Sequence, residues 1–315
     1  MKLLFFLSGE NLPLAEWEVL QLAKIYGEIK YHYLDKRFLI INYYGKDFYE
    51  RLAMTHEVGE VLAETESDEV ESVFRELEIP KEPCCVRVTG SLELEKKFGE
   101  ILWKRGAKIS VSNPKIVFKV YIGKKFYISK LLYVVNKKQF SSRSPNKRPF
   151  FMPSVVLPKF ARALVNLSCA KENMLDPMCG TGSIMIEALL MKIDAVGLDL
   201  YEKVAKGCKE NLKFYGLKGD VFVGDARCMP FKDSSFESIV TDYPYLRSTK
   251  TKGDISELYE KSAEEFARIL KKDSFAVVVS NMDVENFFKD FKLLAKFHQR
   301  VHGSLTRRIL LLRLG

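Results

Sequence analysis

Leu175-Asp176-Pro177-Met178-Cys179-Gly180-Thr181-Gly182 decides the fold of this 315-residue chain. Apolar residues lead into it, and Ser183-Ile184-Met185-Ile186-Glu187-Ala188-Leu189-Leu190 follows at helical spacing. The segment therefore reads as a strand, a tight turn and the opening of a helix. Gly180 and Gly182 reach φ angles that other residues resist and let the backbone come close to a ligand. The free N–H groups and positive dipole end of the new helix face any carboxylate or phosphate placed there. Such a turn ends the first parallel strand of a nucleotide-binding sheet, and alone it does not separate dinucleotide enzymes from other classes.

The later strand ends separate them. Asp199, in Ala195-Val196-Gly197-Leu198-Asp199-Leu200, suits a ribose diol in either case. Val223-Gly224-Asp225-Ala226 ends a third strand. Ser238-Ile239-Val240-Thr241-Asp242-Tyr243-Pro244-Tyr245 ends a fourth with an acid, a proline and an aromatic. A nicotinamide enzyme has no need of that last set; a methyltransferase acting on an amino group does. With strands at 275–280, 291–297 and 309–314, the last two as an edge hairpin, and a loop at 249–253, the C-terminal half is expected to form a doubly wound seven-stranded α/β sheet.

No apolar run approaches the ~20 residues of a membrane helix, and the five apolar residues after Lys2 are too few for a signal peptide, so no membrane partner is expected. The six cysteines show no paired metal-ligand spacing, which suits no metal site and a reduced, cytoplasmic protein. Net charge is +9, unevenly placed: residues 101–171 hold 16 Lys and Arg and no acid, with Phe and Tyr interleaved. That pattern favours contact with nucleic acid.

Residues 1–64 read as strand, helix, strand, strand, helix, strand, a ferredoxin-like split βαβ pattern. Asn11 is a candidate cap, and Pro13 falls in the first helical turn. An acidic helix at 64–78 leads to Pro80 and Pro83. A strand at 84–89, a helix at 92–105 stopped by Gly106, the stretch Val111-Ser112-Asn113-Pro114 and two basic-aromatic strands follow. This order, over 65–140, resembles the THUMP domain, an RNA-binding module of tRNA-modifying enzymes. A Ser/Pro/basic linker occupies 141–157, and 158–315 hold the doubly wound domain.

The linker, the helix Pro158–Leu167 with Ala161-Arg162-Ala163-Leu164, and the glycine turn, in that order, resemble the THUMP-containing tRNA guanine-N2 methyltransferases, most closely the archaeal enzymes acting on guanosine 10. The resemblance covers nearly the whole chain and is strongest over 143–245. It implies a Rossmann-like class I methyltransferase domain behind ferredoxin-like and THUMP domains, with S-adenosylmethionine as donor and tRNA as partner. It implies that Asp176, Pro177, Cys179, Gly180, Thr181 and Gly182 hold the donor's methionine end, with Phe151 packed on it. Asp199, with Leu200 beside it, takes the ribose hydroxyls; Asp225, with Ala226, takes the adenine amino group.

Asp242-Tyr243-Pro244-Tyr245 stands where the family has D-P-P-Y. Asp242 and a backbone carbonyl at Tyr243 or Pro244 are expected to accept the two N–H bonds of the guanine amino group, with Asp242 also bordering the donor, while Tyr245 stacks on an unstacked base. Tyr243 replaces the family's first proline, which raises two questions: what stiffens the loop, and whether the phenol helps choose the base. Lys124, Lys125, Lys137, Lys138, Arg143, Lys147 and Arg148 are the candidate RNA contacts. Relatives also bind a small zinc-containing activator subunit, so such a partner is an expectation here. Methylation of another tRNA or ribosomal guanine, and a silent RNA-binding scaffold with a retained donor pocket, are the alternatives.

Overall fold

The computed structural model describes residues 1–153, 155–245, 252–302 and 305–315; of the 249–253 loop, residues 249–251 lie outside them. The chain forms two compact units. One comprises residues 1–12, 26–50 and 55–135; the other comprises 13–25, most of helix α1 (Leu12–Tyr26), with 51–54 and 136–315.

The first unit is built on one sheet of seven strands: β1 (Lys2–Leu7), β2 (Gly27–Asp35), β3 (Phe38–Gly45), β4 (Thr55–Thr65), β5 (Cys84–Val88), β6 (Ile116–Ile122) and β7 (Phe126–Val134). Their order is β2-β3-β1-β4-β7-β6-β5. Strands β2-β3-β1-β4 follow the split βαβ order, but a single 3-10 turn, Tyr49–Arg51, stands where a second helix was expected. β4 pairs with β7 from Glu57↔Val134 to Thr65↔Phe126, so strands from 1–64 and 65–140 share one sheet. Helices α2 (Val70–Glu76) and α3 (Leu92–Lys104) meet through Phe74 and Phe98, whose rings stack at 4.7 Å. Ser91 caps α3 by accepting from Leu94 N, and Gly106 takes φ +96° just beyond it.

The buried Asp35 shapes the β6–β7 turn. One carboxylate oxygen accepts from Lys124 N at 2.7 Å and Tyr127 Oη at 2.7 Å. Gly123 is required there, since a Cβ would lie 2.2 Å from that oxygen. Lys124 and Lys125 are exposed on this turn.

The second unit carries β8 (Asn173–Asp176), β9 (Asp194–Asp199), β10 (Asp220–Val223), β11 (Phe236–Asp242), β12 (Leu270–Ser280), β13 (Phe291–His302) and β14 (Leu305–Leu314). Their order is β10-β9-β8-β11-β12-β14-β13. Strands β8 to β12 run parallel, and β14 is antiparallel to both β12 and β13. Successive side chains on a strand point to opposite faces, so apolar neighbours divide between two cores. Met174, Val240, Val277 and Leu311 face one side with Leu164, Met185 and Cys208; Leu175, Ile239, Val278 and Leu310 face the other with Tyr259 and Phe266. Helices α5 (Pro158–Leu167), α6 (Ser183–Leu190) and α7 (Glu202–Phe214) thus cover one face, and α8 (Lys252–Ile269) the other. This is the doubly wound fold read from the pattern of strands.

Glu18 joins separate stretches of this unit. Fully buried, it accepts from Ala53 N at 3.0 Å, Met54 N at 2.7 Å and Asn166 Nδ2 at 2.7 Å. Burial pushes its carboxyl above the usual range, against those three hydrogen bonds. The stretch 141–157, expected as a linker, opens inside α4 (Lys138–Ser142) and continues through a 3-10 turn, Pro145–Lys147.

Candidate active site

Because β8, β9 and β11 are parallel neighbours in matched register, their C-terminal carboxylates Asp176, Asp199 and Asp242 reach one end of the sheet together. The chain leaves β8 towards β9 on one side while β11 lies on the other, the switch point at which open α/β sheets bind ligands. Asp225 lies two residues beyond β10.

The glycine turn closes over these strand ends. Gly180 and Gly182 have φ of +52° and +80°, in the left-handed region that disfavours other residues. Cys179 N donates to Leu198 O, Gly182 N to Cys179 O, and Gly180 N to Asp199 Oδ2 at 3.0 Å. A Cβ on Gly182 would meet Cys208 Sγ at 2.7 Å, so close packing also demands glycine there. Pro177, Cys179 and Thr181 are buried. The thiol of Cys179 is raised by contact with Cys208 and by burial, which makes it a packing residue.

Burial raises Asp176 to about 8, with the nearby Asp242 and Asp199 charges adding to the effect. Asp199 is raised by burial, opposed by the N–H groups of Tyr201 and Gly180. Asp225 is lowered, because Arg227 forks onto it with Nη2–Oδ2 at 2.7 Å and Nε–Oδ1 at 3.1 Å. Asp176 holds its proton more tightly folded than unfolded. Its contribution to stability is therefore complete near pH 4 and is lost as pH rises through about 8. The expected result is a melting temperature of the free chain that declines over that interval in Asp176→Ala-sensitive fashion; an unchanged slope in that variant would contradict it.

At the end of β11, Tyr245 Oη donates to Asp242 Oδ1. Burial lifts Asp242 to about 6, opposed by Arg307 and by the Tyr245 hydrogen bond. Tyr243 answers both questions raised by its sequence position. Its ring is 1% exposed, lies 4.5 Å from the Tyr259 ring and shares a 2.6 Å hydrogen bond with Ser262 Oγ. Its N–H donates to Val279 O at 2.9 Å. The phenol is thus a core anchor beneath the site, turned away from any base, and it stiffens the loop from below. Pro244 is exposed.

The connector forms one wall of the site. Asn211 of α7 accepts from Phe150 N at 2.9 Å and donates to Phe150 O at 2.8 Å and Thr181 O at 2.9 Å, fastening connector to glycine turn. The Phe150 ring lies on Gly207, where a Cβ would stand 2.2 Å from it. Phe151 is 54% exposed and lines a cavity of about 670 Å³ with Phe160, Arg300 and Arg307. Asn211→Ala removes three hydrogen bonds and leaves buried carbonyl groups unpaired, an expected cost of about 2–3 kcal/mol. Because the turn loosens with it, donor affinity, read by calorimetry, should fall more than in Asn211→Asp. Equal donor affinity in wild type and Asn211→Ala would refute the coupling.

Two candidate RNA contacts need correction. Arg143 and Arg148 are 9% and 5% exposed. Arg143 forks onto Glu187 at 2.7 and 2.9 Å, and Arg148 donates to Ser183 Oγ at 2.6 Å at the start of α6. Arg162 adds a third hydrogen bond to Glu187, at 2.9 Å. A buried carboxylate claims Arg143, and a hydroxyl and a backbone carbonyl claim Arg148, both of which sequence alone presents as part of a basic run. Lys124, Lys125, Lys137, Lys138 and Lys147 are exposed. Sequence reasoning also missed Arg307, brought to Asp242 by β14, and the bridging role of Asn211; neither lies in a motif.

Strand order, glycine turn and acid-tipped strands define a Rossmann-like methyltransferase. Residues 145–309 match the family described as the RMKL-like methyltransferase domain. The chain is 35% identical to the tRNA (guanine(10)-N2)-dimethyltransferase of Pyrococcus abyssi, over 93% of this chain and 94% of that one. It is 34% identical to the enzyme of the same name from Methanothermobacter thermautotrophicus, over 82% of each. The crystal structure of TrmN from Thermus thermophilus shares the fold, with a TM-score of 0.56 and 18% identity over the whole of both chains. The chain belongs to the tRNA (guanine(10)-N2)-dimethyltransferase family.

Proposed function

We infer that this chain transfers methyl groups from S-adenosylmethionine to the exocyclic 2-amino group of a tRNA guanosine, at position 10, forming mono- and dimethylated products. The observation that carries the reading is the set of three convergent carboxylates beside a glycine turn. The residues fit the donor's chemistry: the carboxyl groups of Asp176, Asp199 and Asp242 are crowded and raised by burial, so a ligand that brings a sulfonium and an ammonium group relieves them. Thr181 Oγ1 is buried with no partner among the described residues, so it can meet a polar group of a ligand.

In this reading Asp176, Pro177, Cys179, Gly180, Thr181 and Gly182 cradle the methionine end, and Phe151 covers it. Asp199 already holds Gly180 N and Tyr201 N, and its remaining lone pairs take the ribose hydroxyls. Leu200, 53% exposed beside it, offers an apolar surface to the adenine. Asp225 keeps Arg227 and accepts the adenine amino group on a free lone pair. The donor supplies an electrophilic methyl group. A guanine amino nitrogen is a weak nucleophile because its lone pair is delocalised into the ring. Asp242 and the carbonyl of Tyr243 or Pro244 accept its N–H bonds, concentrating density on nitrogen and aiming it; Asp242 then takes the proton released as the N–C bond forms. Tyr245 stacks on the base, which has left its helix.

The exposed Lys124, Lys125, Lys137, Lys138 and Lys147 are assigned to the RNA backbone, each adding to the salt dependence of binding. Residues 1–64 are assigned as the ferredoxin-like domain, 65–140 as the THUMP domain, 141–157 as the connector and 158–315 as the methyltransferase domain. All six cysteines are unpaired, consistent with work in the reducing cytoplasm. Among the described residues no helix is long and apolar enough to cross a membrane. Strand β10 is an edge, with Phe222 and Val223 exposed, and is assigned as the docking strand of a small zinc-binding activator subunit. Full activity of the chain alone, unaltered by that subunit, would remove the partner from this account.

Nucleoside mass spectrometry of tRNA incubated with chain and donor tests the function. N2-methylguanosine and N2,N2-dimethylguanosine are expected, mapped to position 10 by fragment analysis. No methylated guanosine would reject the activity, and methylation mapped elsewhere would reject the site.

A further inference from the structure

Arg307 belongs to β14, the strand that runs back against β12. Asp242 pairs with Val279, and Ser280 pairs with Arg308, so the antiparallel return delivers Arg307 to the level at which β11 ends. There its side chain is 6% exposed. Nε donates to Tyr245 Oη at 2.8 Å, Nη2 stands 3.6 Å from Asp242 Oδ2, and the guanidinium lies 5.7 Å from the centre of the Tyr245 ring. With the Tyr245 hydrogen bond to Asp242, the three side chains form a closed ring of contacts. The far side of Arg307 borders the cavity that it shares with Phe151, Phe160 and Arg300, so it stands between that cavity and the acid–aromatic pair.

We propose that Arg307 is a positioning residue for methyl transfer: its planar fork fixes the Tyr245 ring and the Asp242 carboxylate relative to one another before the base arrives. A lysine cannot reproduce this, since only guanidinium donates in two fixed directions within one plane. One face of the tyrosine ring is covered by the cation, so an incoming base stacks on the other face. Its amino group then comes to a carboxylate that is already oriented. Asp242 is faced by Arg307 from β14, by Tyr245 of its own loop, by Asp176 from β8 and by Tyr259 from α8. Arg307 is the cation of this set, and it opposes the effect of burial on Asp242. The proposal rests on the roles given above to Asp242 and Tyr245.

The test compares wild type, Arg307→Gln and Arg307→Lys in single-turnover methylation of tRNA across pH 5–9, with donor affinity by calorimetry and folding by thermal melt. Donor affinity should stay within about threefold, because Asp199 and the glycine turn, which hold most of the donor in the proposed arrangement, are fixed by hydrogen bonds of their own. The rate constant should fall about 100-fold in Arg307→Gln, the scale of a small misplacement of reacting groups. Its acid limb should move up by about one pH unit, as loss of a neighbouring cation requires. Arg307→Lys should keep the wild-type acid limb while losing most of the rate. An unmoved limb in Arg307→Gln, or a rate loss that merely tracks a lowered melting temperature, would overturn the proposal. If Arg307→Gln does not fold, Arg307→Lys decides: wild-type rates in it would overturn the proposal. Asp242→Asn separates the two levels. Turnover retained in it removes the underlying reading, whereas an inactive Asp242→Asn beside unaffected Arg307 variants removes only the inference drawn here.

Discussion

Asp242→Ala is expected to fold, to bind S-adenosylmethionine within a few fold of wild type, and to transfer methyl groups about 10³-fold more slowly. Stability should fall only modestly, since Arg307 loses a facing anion but keeps its hydrogen bond to Tyr245 Oη. Burial already lifts Asp242 to about 6, so its charge is held at a cost that alanine removes. Donor affinity should survive because Asp199 and the glycine turn hold most of the cofactor in the proposed arrangement. The rate should not, since Asp242 is the carboxylate with which β11 ends and the one the proposed arrangement aims at the amino protons. The wild-type rate should also report the same group. An ionised Asp242 is required, so activity rises with pH through about 6 and levels above it. A variant retaining more than a tenth of the wild-type single-turnover rate, or one that no longer binds donor, would contradict the role assigned.

The second large effect concerns stability. Glu187→Ala should cost about 3–5 kcal/mol, the range for breaking a buried ion pair from one side. Glu187 is fully buried on α6, one turn past the glycine loop, and pairs with both Arg143 and Arg162. Without it two guanidinium groups remain in the interior, and the connector loses its attachment to the helix that opens the site. Urea unfolding should show a lower midpoint with an unchanged slope. A loss below about 1 kcal/mol would mean that the cations escape to water on truncation. Replacing Arg143, Arg162 and Glu187 together by apolar residues of similar volume should recover much of the loss, since the penalty comes from unpaired charge.

The two effects mark what the amino-acid sequence reveals and what it conceals. Asp242, Asp199 and the glycines are legible because each occupies a place set by local pattern: the end of an apolar run, or a turn that only glycine takes easily. Helix α5 was expected at 158–167 and is found there, since Pro158 and the apolar spacing mark it locally. Arg143 and Arg148 mislead because their partners lie 44 and 35 residues away, and a basic run looks alike whether it is solvated or turned inward. Arg307 is invisible for the same reason: it lies 62 residues from Tyr245, and only the antiparallel return of β14 brings them together. Asn211, which belongs to no motif, becomes a bridge only once Phe150 and Thr181 are placed on either side of it.

The inward-turned phenol of residue 243 has a consequence for how such proteins can diverge. Where relatives carry an imino acid, rigidity comes from a constrained backbone; here it comes from an aromatic side chain lodged among Tyr259, Phe266 and Ser262. Each solution presupposes its own floor. Writing the familiar D-P-P-Y into this chain would leave a ring-sized hollow under the loop and strip the Val279 carbonyl of its donor. Proline at 243 in this chain would therefore call for new side chains on helix α8 to fill the space that the phenol now occupies.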